Sequence, residues 1–198
     1  MITFERLIGK DIEPYVEQFA WFRLNDFREF PYLYDGNLEH ERENFQKYMD
    51  EEESLLIVAK DGEKVIAVST GIPFDSPFMG EESADLFLKN GLNPKDFYYF
   101  AETIILPEYR GQAIGRDLYK MKEDFAREMG YKEVCFIAVE REEDHPLKPQ
   151  TYKSPKNFWG HLGFEKLDIS VSFEYPTIQA SGKKEKASNL MFFWKKNI

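Results

Sequence analysis

The sequence predicts an α+β fold in which helices flank a mixed, mostly antiparallel central sheet. It also predicts that residues 1–198 form one domain. Three observations carry this. β-rich runs and amphipathic runs follow one another in mixed order, with a hairpin signal early and another late. A single strand–helix–strand unit stands between the hairpins and needs one parallel crossover. The 198 residues include 18 Phe, 11 Tyr and 3 Trp, enough bulk for one real core.

Ile2 and Phe4 alternate with polar neighbours as a first strand. Asp11 and Pro14 open a helix on which Val16, Phe19, Ala20, Arg23 and Phe27 share a face. Pro31 and Tyr34-Asp35-Gly36 break it. Leu38 to Asp50 reads as a second helix with Glu39, Glu41, Glu43 and Lys47 facing solvent. The runs 55–59 and 65–69 flank Asp61-Gly62, a hairpin turn. Residues 74–96 read as a polar insertion with a short helix near Ser83–Lys89. Phe97 to Leu106 is a third apolar run, closed by Pro107. Over 113–129, Ile114, Leu118, Met121, Phe125 and Met129 fall on one helical face, and Gly130 follows as a cap. Val134 to Val139 is a buried strand, Ser154-Pro155 starts a short helix, and Gly163 ends it. The runs 171–175 and 190–194 form the last hairpin. The lysines at 183, 184 and 186 read as a solvated loop tip.

Lys and Arg total 26 against 36 Asp and Glu, a net charge of −10. Such a chain repels phosphate backbones, so nucleic acid is not an expected partner, and a cationic small molecule suits it better. No apolar run approaches the ~18–20 residues of a spanning helix, and the N-terminus lacks the pattern of a signal peptide. A cytoplasmic protein, monomeric or homodimeric and without a membrane partner, is expected. Cys135, the sole cysteine, sits among apolar neighbours and reads as core. With only three His besides, no metal site is expected.

Chemistry concentrates in Ala101-Glu102-Thr103-Ile104-Ile105-Leu106-Pro107-Glu108-Tyr109-Arg110-Gly111-Gln112-Ala113-Ile114-Gly115-Arg116. A strand enters a glycine turn and then an amphipathic helix. The first helical N–H groups have no internal partner and point outward with the positive dipole end, an anion site suited to pyrophosphate. The spacing is neither a Walker loop nor a Rossmann fingerprint. The glycines alone fit equally a tight turn that binds nothing.

The stretch Pro107 to Gly115 resembles the acetyl-coenzyme A loop of the GNAT superfamily of N-acetyltransferases: Arg or Gln, two residues, Gly, one residue, Gly or Ala. Asn157-Phe158-Trp159-Gly160-His161-Leu162-Gly163-Phe164 is similar to the family's later helix. The resemblance implies acetyl-coenzyme A as cosubstrate, an amine acceptor and a splayed strand pair forming the acyl-coenzyme A cleft. Backbone groups of Ile104, Ile105 and Leu106 would line the pantetheine. Arg110, Gly111, Gln112, Ala113, Ile114, Gly115 and Arg116, with Asn157 and Trp159, would complete the cofactor site. Two departures stand out. Ala113 replaces the usual middle Gly, and the cradle survives if its φ is helical. Trp159 stands where many members carry a Tyr that protonates the thiolate, and an indole N–H cannot do that.

Acyl transfer to an amine also needs a base. Glu102 is the nearest strand carboxylate, expected on the face of Phe100 and Ile104, with Glu140 and His145 as rivals. Tyr152 is the expected acid. The cluster Glu140, Glu142, Glu143 and Asp144 attracts an ammonium or is an ordinary exposed loop. A non-catalytic acyl-coenzyme A sensor or scaffold is the alternative function.

Overall fold

The computed structural model describes residues 1–198. Seven strands make one sheet in the order β1-β2-β3-β4-β5-β7-β6. They are β1 Ile2–Ile8, β2 Leu55–Asp61, β3 Lys64–Pro73, β4 Phe97–Ile105, β5 Glu133–Val139, β6 Glu165–Ile178 and β7 Lys184–Asn197. Every neighbouring pair is antiparallel except β4 with β5. The helices are α1 Val16–Asp26, α2 Leu38–Met49, α3 Glu81–Lys89, α4 Ile114–Glu128 and α5 Lys156–His161. No helix is long and apolar enough to cross a membrane.

The mixed sheet and the single crossover through α4 are as the sequence predicts. The first helix starts later than expected, because Gly9–Tyr15 forms a 3-10 turn that contains Pro14. The last two strands run far longer than 171–175 and 190–194. Polar and apolar residues alternate from Lys166 to Tyr175, the signature of a strand with one wet face. Lys184 and Lys186 therefore sit on a strand rather than at a tip, and pair with Asp35 at 3.0 Å and Glu174 at 3.1 Å.

Two helix faces also differ. Glu41, expected outside, is 1 % exposed. It precedes Phe45 and Tyr48 by four and seven residues, which puts it on the buried stripe of α2. Met129, just past the end of α4, is exposed, while Tyr119, Lys122 and Ala126 join Leu118 and Phe125 in the interior. The core itself is aromatic: Phe74, Phe87 and Phe193 pack at 4.1 and 4.9 Å between ring centroids. Cys135 is buried there, and burial pushes its thiol well up, so it is packing and not a nucleophile.

Candidate active site

β4 and β5 pair only where Phe97–Tyr99 meets Glu133–Cys135. Beyond that point each strand keeps its outer partner, β3 for β4 and β7 for β5, and the two diverge. A cleft of about 1540 Å³ opens in the V. Rings fill its floor: Phe136 lies 4.9 Å from Phe164, and Phe100 lies 5.9 Å from Tyr119.

Register decides which backbone groups face the gap. The Leu106 N–H donates to the Ile66 carbonyl at 2.9 Å, and Val68 stands opposite Ile104 in the same register. Hydrogen-bonded pairs alternate along an antiparallel ladder. Residues 104 and 106 therefore spend their N–H groups on β3, while Thr103 and Ile105 turn theirs toward β5. Of the three expected residues only Ile105 faces the cleft by its backbone, and Thr103 joins it. The side chain of Ile104 is buried at 3 % exposure.

The mouth of the V is the turn into α4. Gly111 has φ +79°, and Ala113 has φ +67°, left-handed, so the helical φ on which a cradle at Ala113 depends is not met, and the free N–H groups are those of the following helical turn. The first α4 N–H groups face outward, and Asp117 is the first to find a helical carbonyl, that of Ala113, at 3.2 Å. A Cβ on Gly115 would meet Ile105 Cδ1 and Phe158 Cζ, each at 3.5 Å, so any larger side chain would narrow the mouth. Arg110 is already engaged. Its Nε donates to the Ile105 carbonyl at 2.9 Å and its Nη2 to Asp26 at 2.7 Å, which staples the end of α1 to the end of β4. Arg116 is exposed, with only Asp117 nearby at 3.8 Å, and remains available to an anion. Gln112, Ile114, Leu106 and Asn157 do not line the cleft. Gln112 donates to the Glu108 carbonyl at 3.2 Å, Ile114 is core, and Asn157 points to solvent.

A register shift between Ser69 and Gly71, opposite Glu102, turns that side chain over. Phe100 faces α4, where Lys122 and Tyr119 meet it. Glu102 faces α1, and its carboxylate binds Arg23 and the Thr70 hydroxyl. The expectation that Glu102 shares the face of Phe100 fails because of this bulge. Arg23 also donates to Glu41 at 2.5 Å, and Glu41 accepts from Tyr34 at 2.8 Å. The Glu102 carboxylate thus accepts a charge-assisted hydrogen bond from Arg23 and a second from the Thr70 hydroxyl.

Two groups on α4 were not anticipated. Lys122 is wholly buried against the cleft floor, and burial pushes its amine well below the ordinary lysine range. Tyr119 also lines the cleft, with Trp159 and Thr103 beside its hydroxyl. Burial raises its phenol, which keeps it protonated. The signal for Lys122 was its spacing of four from Leu118 and three from Phe125 on the apolar stripe, and for Tyr119 its spacing of three from Lys122. Trp159 packs on Phe136 at 4.8 Å and edge-on to Trp194 at 5.2 Å, as a wall of the cleft.

The rival bases are occupied. Glu140 lies between Lys156 and Lys166, and those hydrogen bonds hold its carboxyl below the usual range. Burial and then Arg141 lower the pKa of the His145 ring. Its Nδ1 accepts the Leu147 N–H at 3.2 Å, so the neutral ring carries its proton on Nε2 and offers no lone pair. Tyr152 lines the cleft but packs against Phe30, 4.7 Å away and edge-on. With Glu140 neutralised and Glu143 paired to Lys148 at 2.5 Å, only Glu142 and Asp144 of the acidic cluster keep free charge. No group of three His, Cys, Asp or Glu side chains is placed to hold a metal ion.

A seven-stranded, mostly antiparallel sheet that splits at its one parallel pair defines a class of mixed α+β folds with a cleft at the split. The sequence matches the acetyltransferase (GNAT) family over residues 20–148, and the chain belongs to that family. No curated relative matches it. Among solved structures it is similar to an N-acetyltransferase of Staphylococcus aureus Mu50, with TM-score 0.61, 9% identity, and 100% of this chain and 98% of that one covered. It is also similar to the mosquito arylalkylamine N-acetyltransferase like 5b, with TM-score 0.60, 15% identity and coverage of 99% and 100%. A third is the ribosomal-protein-S18-alanine N-acetyltransferase of Escherichia coli, with TM-score 0.57, 14% identity and coverage of 100% and 94%. At these identities the likeness is one of fold.

Proposed function

We propose that the chain transfers an acetyl group from acetyl-coenzyme A to a primary amine of a small molecule or peptide by direct attack. The observation that carries this reading is the V between β4 and β5, with free N–H groups along one wall and at its mouth. When bound, acetyl-coenzyme A supplies an activated acyl group. The α4 start, Gly115 and Arg116 hold its phosphates, and the backbone edge at Thr103 and Ile105 holds the pantetheine. The Thr103 N–H, which faces the V, would donate to the acyl oxygen and offset negative charge there. Tyr119 protonates the departing thiolate, taking the place first given to Tyr152, because its hydroxyl lies beside Thr103 and Trp159. Glu102 attracts the amine and keeps it at the V, and proton acceptance by Glu102 is a second role that a Gln substitution tests. The mosquito and Escherichia coli proteins carry amine acetylation in their names, which supports an amine acceptor. The enzyme works in the cytoplasm, as a monomer or homodimer.

A panel of arylalkylamines, polyamines, amino acids, aminoglycosides and peptides with acetyl-coenzyme A tests this by thiol release and mass shift. One or more amines should gain an acetyl group. Binding of acetyl-coenzyme A without any transfer would favour the sensor reading, which Trp159 at the usual Tyr position motivates.

A further inference from the structure

We propose that Lys122 is a positioning residue that strengthens the Thr103 N–H as an oxyanion donor, acting through the Glu102–Thr103 peptide bond. This rests on the acetyl-transfer reading above. Lys122 is 0 % exposed in the middle of α4, and its polar partners are all neutral oxygens. Nζ donates to the Glu102 carbonyl at 3.3 Å and the Thr70 carbonyl at 3.4 Å, and lies 3.0 Å from Thr103 Oγ1. Phe100 and Tyr119 present their rings at 4.4 and 4.8 Å. A buried amine without a counter-charge is costly, and an apolar side chain of the same length would fill this place at no such cost. Packing alone does not call for a lysine here.

What the amine does is chemical. The Glu102 carbonyl accepts from both Lys122 and the Ser69 hydroxyl, the latter at 3.0 Å. Two donors on one carbonyl draw electron density toward oxygen and make the N–H of the same peptide unit a stronger donor. That N–H belongs to Thr103, the residue whose backbone faces the V. The carbonyl contacts persist in either protonation state: an ammonium has three N–H groups for the two carbonyls and Thr103 Oγ1, and a neutral amine keeps two for the carbonyls. The only titratable side chain facing Nζ is Tyr119. β3 presents only Ser69 and Thr70, and the Glu102 carboxylate points to Arg23 on the other face.

The experiment compares Lys122→Met and Lys122→Gln with the wild-type chain in three measurements. The Thr103 amide proton of the ligand-free protein, followed by NMR, should move upfield in Lys122→Met and return part of the way in Lys122→Gln. With an amine found active, kcat should fall roughly tenfold or more in Lys122→Met while acetyl-coenzyme A affinity stays within about twofold. The melting temperature should not fall. An unmoved amide proton, an unchanged kcat, or a kcat loss that follows a fall in melting temperature would each overturn the proposal. If Lys122→Met does not fold, Lys122→Gln carries the same three readings. A wild-type chain that acetylates nothing would end the functional reading, while the amide shift would still decide what Lys122 does to the peptide.

Discussion

Ala113 shows how one residue carries both a family departure and a cost. Its Cβ crowds the following carbonyl at φ +67°, a conformation that costs an L-residue ~1–2 kcal/mol. Ala113→Gly should relieve that strain, less the extra chain entropy of glycine, and stabilise the fold by about 0.5–1 kcal/mol in denaturant titration. Acetyl-coenzyme A affinity should not fall, because the N–H groups keep their directions. Trp159 is a second case. It walls the cleft with Phe136 and Trp194 and holds no titratable proton, so Trp159→Phe should keep most turnover. Tyr119→Phe should lose roughly 10²–10⁴-fold in kcat with acetyl-coenzyme A affinity retained, and Tyr152→Phe much less. Steady-state kinetics on the three variants would reverse these assignments if Tyr152→Phe proved the damaging one.

At the scale of elements, the chain Tyr34–Glu41–Arg23–Glu102–Thr70 ties α1 and α2 to β3 and β4 behind the cleft. Glu41 is 1 % exposed, so Glu41→Gln weakens a buried charge-assisted bond while Arg23 keeps Glu102, and should cost about 1.5–3 kcal/mol in unfolding free energy. Glu102→Gln should lower kcat and also loosen α1. If Glu102 accepts the proton itself, its loss should recover as pH rises; if it serves as a fixed charge, the loss should be the same across pH. Gly115→Leu should weaken acetyl-coenzyme A binding in calorimetry, through Ile105 and Phe158, without unfolding α4. The glycine turn, the crossover and both hairpins were legible in the sequence, since each depends on neighbours in the chain. The bulge in β4 opposite Thr70 was not, and it moved Glu102 from one face to the other. Period-two reasoning along β4 cannot detect an extra residue that only pairing with β3 reveals.

Over the whole molecule, Lys122 predicts a pH dependence of stability. The unfolded chain holds its proton up to the ordinary lysine value of 10.5, and the folded chain loses it well below. Between those limits the unfolded state binds more protons, so stability rises with pH, by at most about 1.4 kcal/mol per pH unit from this group. Lys122→Met should remove that rise, so the difference in unfolding free energy between variant and wild type should shrink as pH climbs toward 10.5. Urea unfolding at a series of pH values measures it. A constant difference would mean that the folded chain keeps Lys122 charged.

The sequence by itself determined the element order, the glycine turn before α4, the family and the packing role of Cys135, because these follow from local periodicity and contiguous motifs. Tertiary structure decided the rest. Glu41 reads as a surface charge until Arg23 arrives from another helix. Arg110 reads as a phosphate ligand until Asp26 and the Ile105 carbonyl claim it. Ladder parity with β3 gives the inward N–H groups to Thr103 and Ile105 rather than to Ile104 and Leu106. Lys122 enters the site only because α4 lies across the floor of the V. In each case the deciding partner is remote in the chain, and hydrogen bonding and desolvation are set by what lies nearby in space.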